Sequence, residues 1–207
     1  MTIKKKDLTY KLDEENRTAT VVKCIAHKTP FTIEIPEEVT SNGKTYTVTV
    51  IGKDAFWRCA SLENVMLSDS VTCIGNSAFQ GCVDLKSITI PNNVTEIGSG
   101  AFLGCSSLKS IVIPDGVTWI GWHAFFGCCS LKSIEIPDSV VEIGKGAFQY
   151  CESLEIVTIS DSLKEFDGSW FWDCSNLTEI RIPGTEKAFP LWVSLMESEY
   201  ADLVRQV

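Results

Sequence analysis

Residues 85–105 read LKSITIPNNVTEIGSGAFLGC, and they contain one complete structural unit. Leu85, Ile88 and Ile90 give the alternation of a short strand with one buried face. Pro91 has no N–H to donate, so the ladder ends there. Val94 and Ile97 return apolar side chains inward. Gly98 supplies a turn without steric penalty. Ala101, Phe102 and Cys105, at i, i+1 and i+4, predict a short helical turn packing its inner face down. About eight inward side chains, at ~1.5–3 kcal/mol each before entropy, make a core only when such units stack.

The unit recurs on both sides. Cys59, Cys82, Cys105, Cys128, Cys151 and Cys174 are spaced 23 residues apart. Ala-Phe pairs at 55–56, 78–79, 101–102, 124–125 and 147–148 hold the same period, with Trp170-Phe171 as a degenerate sixth. Ile-Gly pairs run from Ile51-Gly52 to Ile143-Gly144. Several residue types sharing one period mark a solenoid. The expected architecture is an α/β repeat: right-handed coils, six or seven of them, with one continuous parallel sheet along one wall. At ~4.8 Å per strand it is roughly 30 Å long.

The unit resembles the BspA-like, or treponemal-type, class of leucine-rich repeats, with the match covering about residues 31–183. The resemblance implies a bacterial cell-surface or secreted protein whose role is adhesion or protein binding, with a host extracellular-matrix or serum protein as partner. It brings no catalytic residues.

The ends depart from the period. Residues 1–30 read as an N-terminal β-hairpin cap, with strands around Tyr10-Leu12 and Ala19–Val22 and a polar turn at Asp13–Arg17. The repeats occupy 31–183, and the first carries a hairpin insertion at 39–48, where Asn42-Gly43 is the turn signal. Residues 184–207 read as a C-terminal helical cap, with Trp192, Leu195, Met196, Tyr200 and Leu203 at helical spacing and Pro190 suited to the first turn. A membrane-surface helix is the alternative, but Glu197, Glu199 and Asp202 carry the wrong sign for anionic lipid.

Composition excludes several functions. The chain has 207 residues, 44% hydrophobic and 22% charged, with formal net charge −9. That balance argues against nucleic acid, which is bound through clustered Lys and Arg. No stretch approaches the ~20 apolar residues of a membrane span, so no insertion is expected. No apolar signal-peptide core follows Lys4-Lys5-Lys6, which leaves a cytoplasmic protein or a removed leader as the two readings.

Nine cysteines raise the question of metal or disulfide. There is no Cys-x-x-Cys knuckle, and the six repeat cysteines sit where small buried residues belong, so free buried thiols are expected and no metal or cofactor. Cys129, outside the ladder, is the thiol expected to react first. Six unpaired ladder thiols fit poorly with an oxidising compartment. His27 and His123 are the only histidines, and acidic residues follow the repeat register instead of gathering, so no catalytic residues and no enzyme are expected.

Binding therefore rests on surface positions. The outward strand positions include Met66, Val112, Glu135, Ile156 and Arg181, a small and weakly charged face. Trp119, Trp122 and Phe126 place three aromatics in one coil where neighbouring coils are largely polar, and indoles dominate binding hot spots. Non-enzymatic macromolecular recognition is the expected function, with a self-associating scaffold as the alternative. The same aromatic coil allows a homodimer or a glycan ligand.

Overall fold

A computed structural model describes residues 1–163, 166–185 and 188–207. The chain opens with β1 (Thr2–Lys5), β2 (Leu8–Asp13) and β3 (Thr18–Cys24), antiparallel neighbours in that order. Leu8, Tyr10 and Leu12 of β2 face Ala19, Val21 and Cys24 of β3, so one side of this hairpin is apolar and closes the first coil. The first coil holds β4 (Phe31–Glu34), β5 (Glu38–Ser41) and β6 (Lys44–Ile51). β5 and β6 are the inserted hairpin, turning at Asn42 (φ 50°) and Gly43 (φ 72°). β6 also runs parallel to β3, which joins the cap to the solenoid.

Coil two adds β7 (Leu62–Met66) and β8 (Cys73–Ile74), and coil three β9 (Ser87–Thr89) and β10 (Glu96–Ile97). Coil four adds only β11 (Trp119–Ile120), and coil five adds β12 (Ser133–Ile136) and β13 (Glu142–Ile143). Coil six adds β14 (Ile156–Ile159), followed by β15 (Glu179–Ile182), α1 (Phe189–Met196) and β16 (Val204–Gln206).

Each coil has three walls, and each wall has its own ladder. The first, the strand wall, is formed by β4-β7-β9 and by β12-β14-β15-β16. The second continues from the cap as β3-β6-β8-β10-β11-β13. The third is a wall of stacked turns. There the Phe56, Phe79, Phe102 and Phe125 N–H groups donate to the carbonyls of Ala78, Ala101, Ala124 and Ala147, each at 2.7 Å. The short helical turn expected around Ala101 is not a helix for this reason. Phe102 sends its N–H to the next coil instead of back along its own chain, and only three-residue turns close, such as Cys105 N–H to the Phe102 carbonyl at 3.1 Å.

The strand wall is not continuous as expected. Residues 109–113 of coil four form no strand, and none of their N–H groups donates to a neighbouring backbone among the described residues. Ile111 and Ile113 still point inward. The core thus passes through coil four while the strand ladder does not.

The C-terminal cap differs in part from its expectation. Leu191 and Leu195 of α1 are buried over the end of the core, while Met196 is exposed. The side chain of Trp192 lies outside the described residues. Beyond α1 the chain does not continue as helix through Leu203. After a single 3₁₀ turn, β16 pairs in parallel with β15 and extends the strand wall. The β-branched Val204, buried at the last sheet position, favours that extension.

Two internal columns fill the solenoid. The Phe56, Phe79, Phe102, Phe125, Phe148 and Phe171 rings stack at centroid spacings of 4.8–5.7 Å. Beside them all nine cysteines are free, and the ladder thiols are buried. The Cys82, Cys105, Cys128, Cys151 and Cys174 thiols each donate to the carbonyl of the phenylalanine 26 residues earlier, at 3.1–3.3 Å. Cysteine suits this position because it is small and apolar yet carries one weak donor.

This column predicts alkaline lability. Burial pushes the Cys82, Cys105 and Cys128 thiols up from the ordinary value of 9.0, Cys105 to about 12. Thiols that stay protonated when folded and ionise when unfolded stabilise the fold fully below pH 9, and that stability is lost as pH rises toward 12. Thermal midpoints measured from pH 8 to pH 11 should fall, and Cys105→Ala should fall less steeply than wild type. Identical slopes would show that the column does not contribute.

Candidate functional site

The outer strand-wall positions fall into rows by repeat register. Met66, Val112, Glu135 and Arg181 share one row with Thr89 and Thr158, and Ile156 belongs to the adjoining row with Ser133 and Glu179. Met66 is exposed, Ile156 half-buried, and Val112 is 78% exposed at the break in the ladder. Arg181 is held by a two-pronged contact with Glu179, Nε to Oε1 and Nη2 to Oε2, each at 3.0 Å. The guanidinium accordingly holds the Glu179 carboxyl below its ordinary range. Alongside runs a row of exposed lysines, Lys86, Lys109 and Lys132, of which Lys86 pairs with Glu63. Glu63 and Glu155 hold the same row in the coils on either side, so the strand wall carries both signs of charge.

The three aromatics of coil four do not form one patch. Trp119 lies on β11 in the second wall, half-buried, with Glu96 and Glu142 as its register neighbours on either side. Trp122 stands at the corner after Gly121 and is 61% exposed. Phe126 belongs to the turn wall, where its ring meets Tyr150 at 4.9 Å, and Tyr150 meets Trp172 at 5.3 Å. Coil four thus shows an apolar or aromatic side chain on each of its three walls. Phe126 leads a separate aromatic row across coils four to six.

Tyr150 and Trp172 were not singled out from the sequence, although both leave a signal there. Trp172 follows the degenerate Trp170-Phe171 pair, and Tyr150 fills the position held by Gly81, Gly104 and Gly127, all at positive φ. Tyr150 keeps that left-handed backbone at φ 57°, and His123 does the same at φ 54° where Gly100 and Gly146 stand in other coils. A non-glycine residue in that region costs roughly 1–2 kcal/mol. Asp54 and Ser77 hold the same left-handed turn at the repeat position of His123, and Arg58 and Asp173 at that of Tyr150, so the conformation belongs to the repeat.

The histidines are apart. His27 Nε2 lies 3.4 Å from the Asp7 carboxylate in the cap, and the His123 ring packs edge-on against Phe126 at 5.6 Å. Cys129 is half-buried, and burial together with Glu152 raises its thiol. Among the described residues no three His, Cys, Asp or Glu side chains are grouped to hold a metal ion. No described helix is long and apolar enough to cross a membrane.

Comparison with known proteins matches the chain to the family described as BspA type leucine rich repeat region, in six copies over residues 32–128 and 95–190. Among solved structures, a leucine-rich repeat protein from Bacteroides ovatus ATCC 8483 is 35% identical, with a TM-score of 0.81 over 87% of this chain and 49% of the other. The chain thus spans about half the length of that relative. The T. pallidum leucine-rich repeat protein is 29% identical, with a TM-score of 0.79 over 100% of this chain and 98% of that one. A comparison with curated proteins gives no significant match.

Proposed function

The chain belongs to the BspA-type leucine-rich-repeat family, and on that footing we propose that it is a non-enzymatic recognition module that binds another protein, acting at the cell surface or after secretion. Leucine-rich-repeat proteins are generally protein-interaction modules, typically without enzymatic activity. The observation that carries the reading is the fourth coil. Among the described coils it alone lacks a strand on the first wall, and it exposes Val112 and Trp122 to solvent. Exposed apolar surface at a break in the ladder works against the stability of the free chain, and a bound partner offsets it. Two indoles supply the residue type that dominates hot spots.

The test is a pull-down against host extracellular-matrix and serum proteins, comparing wild type with Trp119→Ala/Trp122→Ala. A hot-spot pair costs at least ~2 kcal/mol, so capture should weaken by about thirtyfold or more, with the thermal melt checked for an intact fold. A partner retained equally by both forms moves the site to the strand wall. Absence of any partner, with wild type dimerising through these tryptophans, makes the surface an assembly contact and overturns the reading.

A further inference from the structure

The column of ladder thiols meets the N-terminal cap at Cys24. The Phe56, Phe79, Phe102 and Phe125 N–H groups each donate to the alanine carbonyl of the next coil at 2.7 Å, and the Cys24 N–H makes the same bond to Ala55 at 2.6 Å. Cys24, the last residue of β3, therefore stands where a preceding coil would place its phenylalanine. The chain then leaves the sheet through residues 25–30, all of them exposed. Cys24 itself is buried, at 5% exposure, and so is Cys59, at 2%.

Cys59 is unlike the other five ladder thiols. Each of those donates to the carbonyl of a phenylalanine in the preceding coil. Cys24 holds that phenylalanine's place before Cys59, and the Cys59 thiol has no backbone acceptor among the described residues. Instead the Cys24 and Cys59 thiols lie side by side, each the largest influence on the ionisation of the other, with Cys24 held up and Cys59 held down. The one other contact of the Cys24 thiol among the described residues is a long one, to the Ile25 carbonyl at 3.5 Å. Cys151 and Cys174 are neighbours as well, but each has its own phenylalanine carbonyl. Those two also share one repeat position, so their side chains project in parallel, which suits a disulfide poorly. Cys24 comes from a strand of the cap and stands outside that register.

We propose that Cys24 and Cys59 are a redox pair whose disulfide locks the N-terminal cap onto the solenoid, with a small-molecule or protein disulfide as the oxidant. One thiolate of the pair attacks a sulfur of the oxidant and expels a thiolate, leaving a mixed disulfide. The second cysteine attacks the chain-bound sulfur of that intermediate and expels the other thiolate. Two cysteine S–H bonds are lost, their protons pass to the solvent or to the leaving thiolates, and one oxidant disulfide becomes two thiols. A local opening of the exposed segment 25–30 admits the oxidant beside Cys24. The remaining ladder thiols stay reduced, since each is buried and bonded to its own carbonyl. The bridge joins the end of β3 to the first turn of the solenoid, where the main chain leaves the sheet. The proposal does not depend on what the protein binds.

The test exposes the full chain to oxidised glutathione, both folded and during refolding from urea, blocks the remaining thiols with N-ethylmaleimide and maps the bridges by mass spectrometry. Trypsin cuts after Lys23 and Arg58, so the expected product joins peptide 24–28 to peptide 59–86, two hydrogens lighter than their sum. Fragmentation then distinguishes Cys59 from Cys73 and Cys82 within the second peptide. Oxidised wild type should melt about 5 °C or more above its reduced form. Cys24→Ser should lose both the linked peptide and the rise. Each form is compared with its own reduced state, so a variant that is less stable for another reason does not imitate the result. A map without the Cys24–Cys59 link under both conditions overturns the proposal, whatever forms at half-buried Cys129. A link between two ladder cysteines, such as Cys59 with Cys82, in place of it does the same. A Cys24–Cys59 link that leaves the melting temperature unchanged overturns the lock.

Discussion

Gly121→Ala is expected to cost at least about 3 kcal/mol of stability, although it adds one methyl group. The new Cβ would meet the carbonyl carbon of Gly98 at 2.6 Å and the Cα of Ser99 at 2.7 Å. Both belong to the main chain of the preceding coil, and neither can rotate away. Relief requires the coils to move apart, which breaks the Gly121 N–H bond to the Ile97 carbonyl at 2.8 Å and loosens the second wall. Gly43→Ala is the control. It sits at φ 72° with nothing within 4 Å, so only local backbone strain of about 1 kcal/mol is expected. Urea denaturation of both variants decides the point. A Gly121→Ala cost no larger than that of Gly43→Ala would mean the coils are not held together at this position.

Phe125→Ala should cost about 3–5 kcal/mol and change the form of the unfolding transition. The ring is fully buried, stacked on Phe102 and on Phe148 at 5.3 Å each, with interplanar angles of 6° and 1°. Its loss opens a cavity between two rings whose positions are fixed by their own coils. A solenoid is stabilised by contacts between neighbours, so a gap in the middle uncouples the two halves. The strand ladder already fails in the same coil, at residues 109–113. Denaturant melts should therefore show a lower m-value or two steps for Phe125→Ala. Phe171→Ala, near the end of the column, should keep one transition. A single transition of unchanged slope for Phe125→Ala would argue that the turn wall and second wall alone keep the halves cooperative.

Coil six shows where sequence reading stops. That the Ile-Gly series ends at Ile143-Gly144, and that Trp170 stands for alanine, is visible in the residues. Neither fact says what surrounds the indole, because that depends on the coils packed against it. That the Trp170 indole N–H has no acceptor among the described residues is a property of what surrounds Trp170, not of Trp170 itself. The aromatics of coil four are similar. Trp119, Trp122 and Phe126 are close in sequence, yet a coil of 23 residues turns through three walls and separates them. Tyr150 and Trp172 join Phe126 only because neighbouring coils stack, so that Tyr150, one repeat position further on, lies between Phe126 and Trp172 along the solenoid axis.

The coil itself was legible in the residues. Cys59 to Cys174 at one spacing, the Ala-Phe and Ile-Gly pairs, and the Leu-x-x-Ile-x-Ile strand fix the period, the buried face and the family. The Asn42-Gly43 turn and the polar turn at Asp13–Arg17 mark the hairpins. These features are local, since burial repeats with the chain and turn chemistry is a matter of two or three residues. Whatever depends on the distance between coils emerged only in three dimensions: a hydrogen-bonded turn wall in place of short helices, an opened strand ladder in coil four, and β16 added after α1. Spacing between coils is set by their closest approach, and on the second wall the missing Cβ at Gly121 permits it.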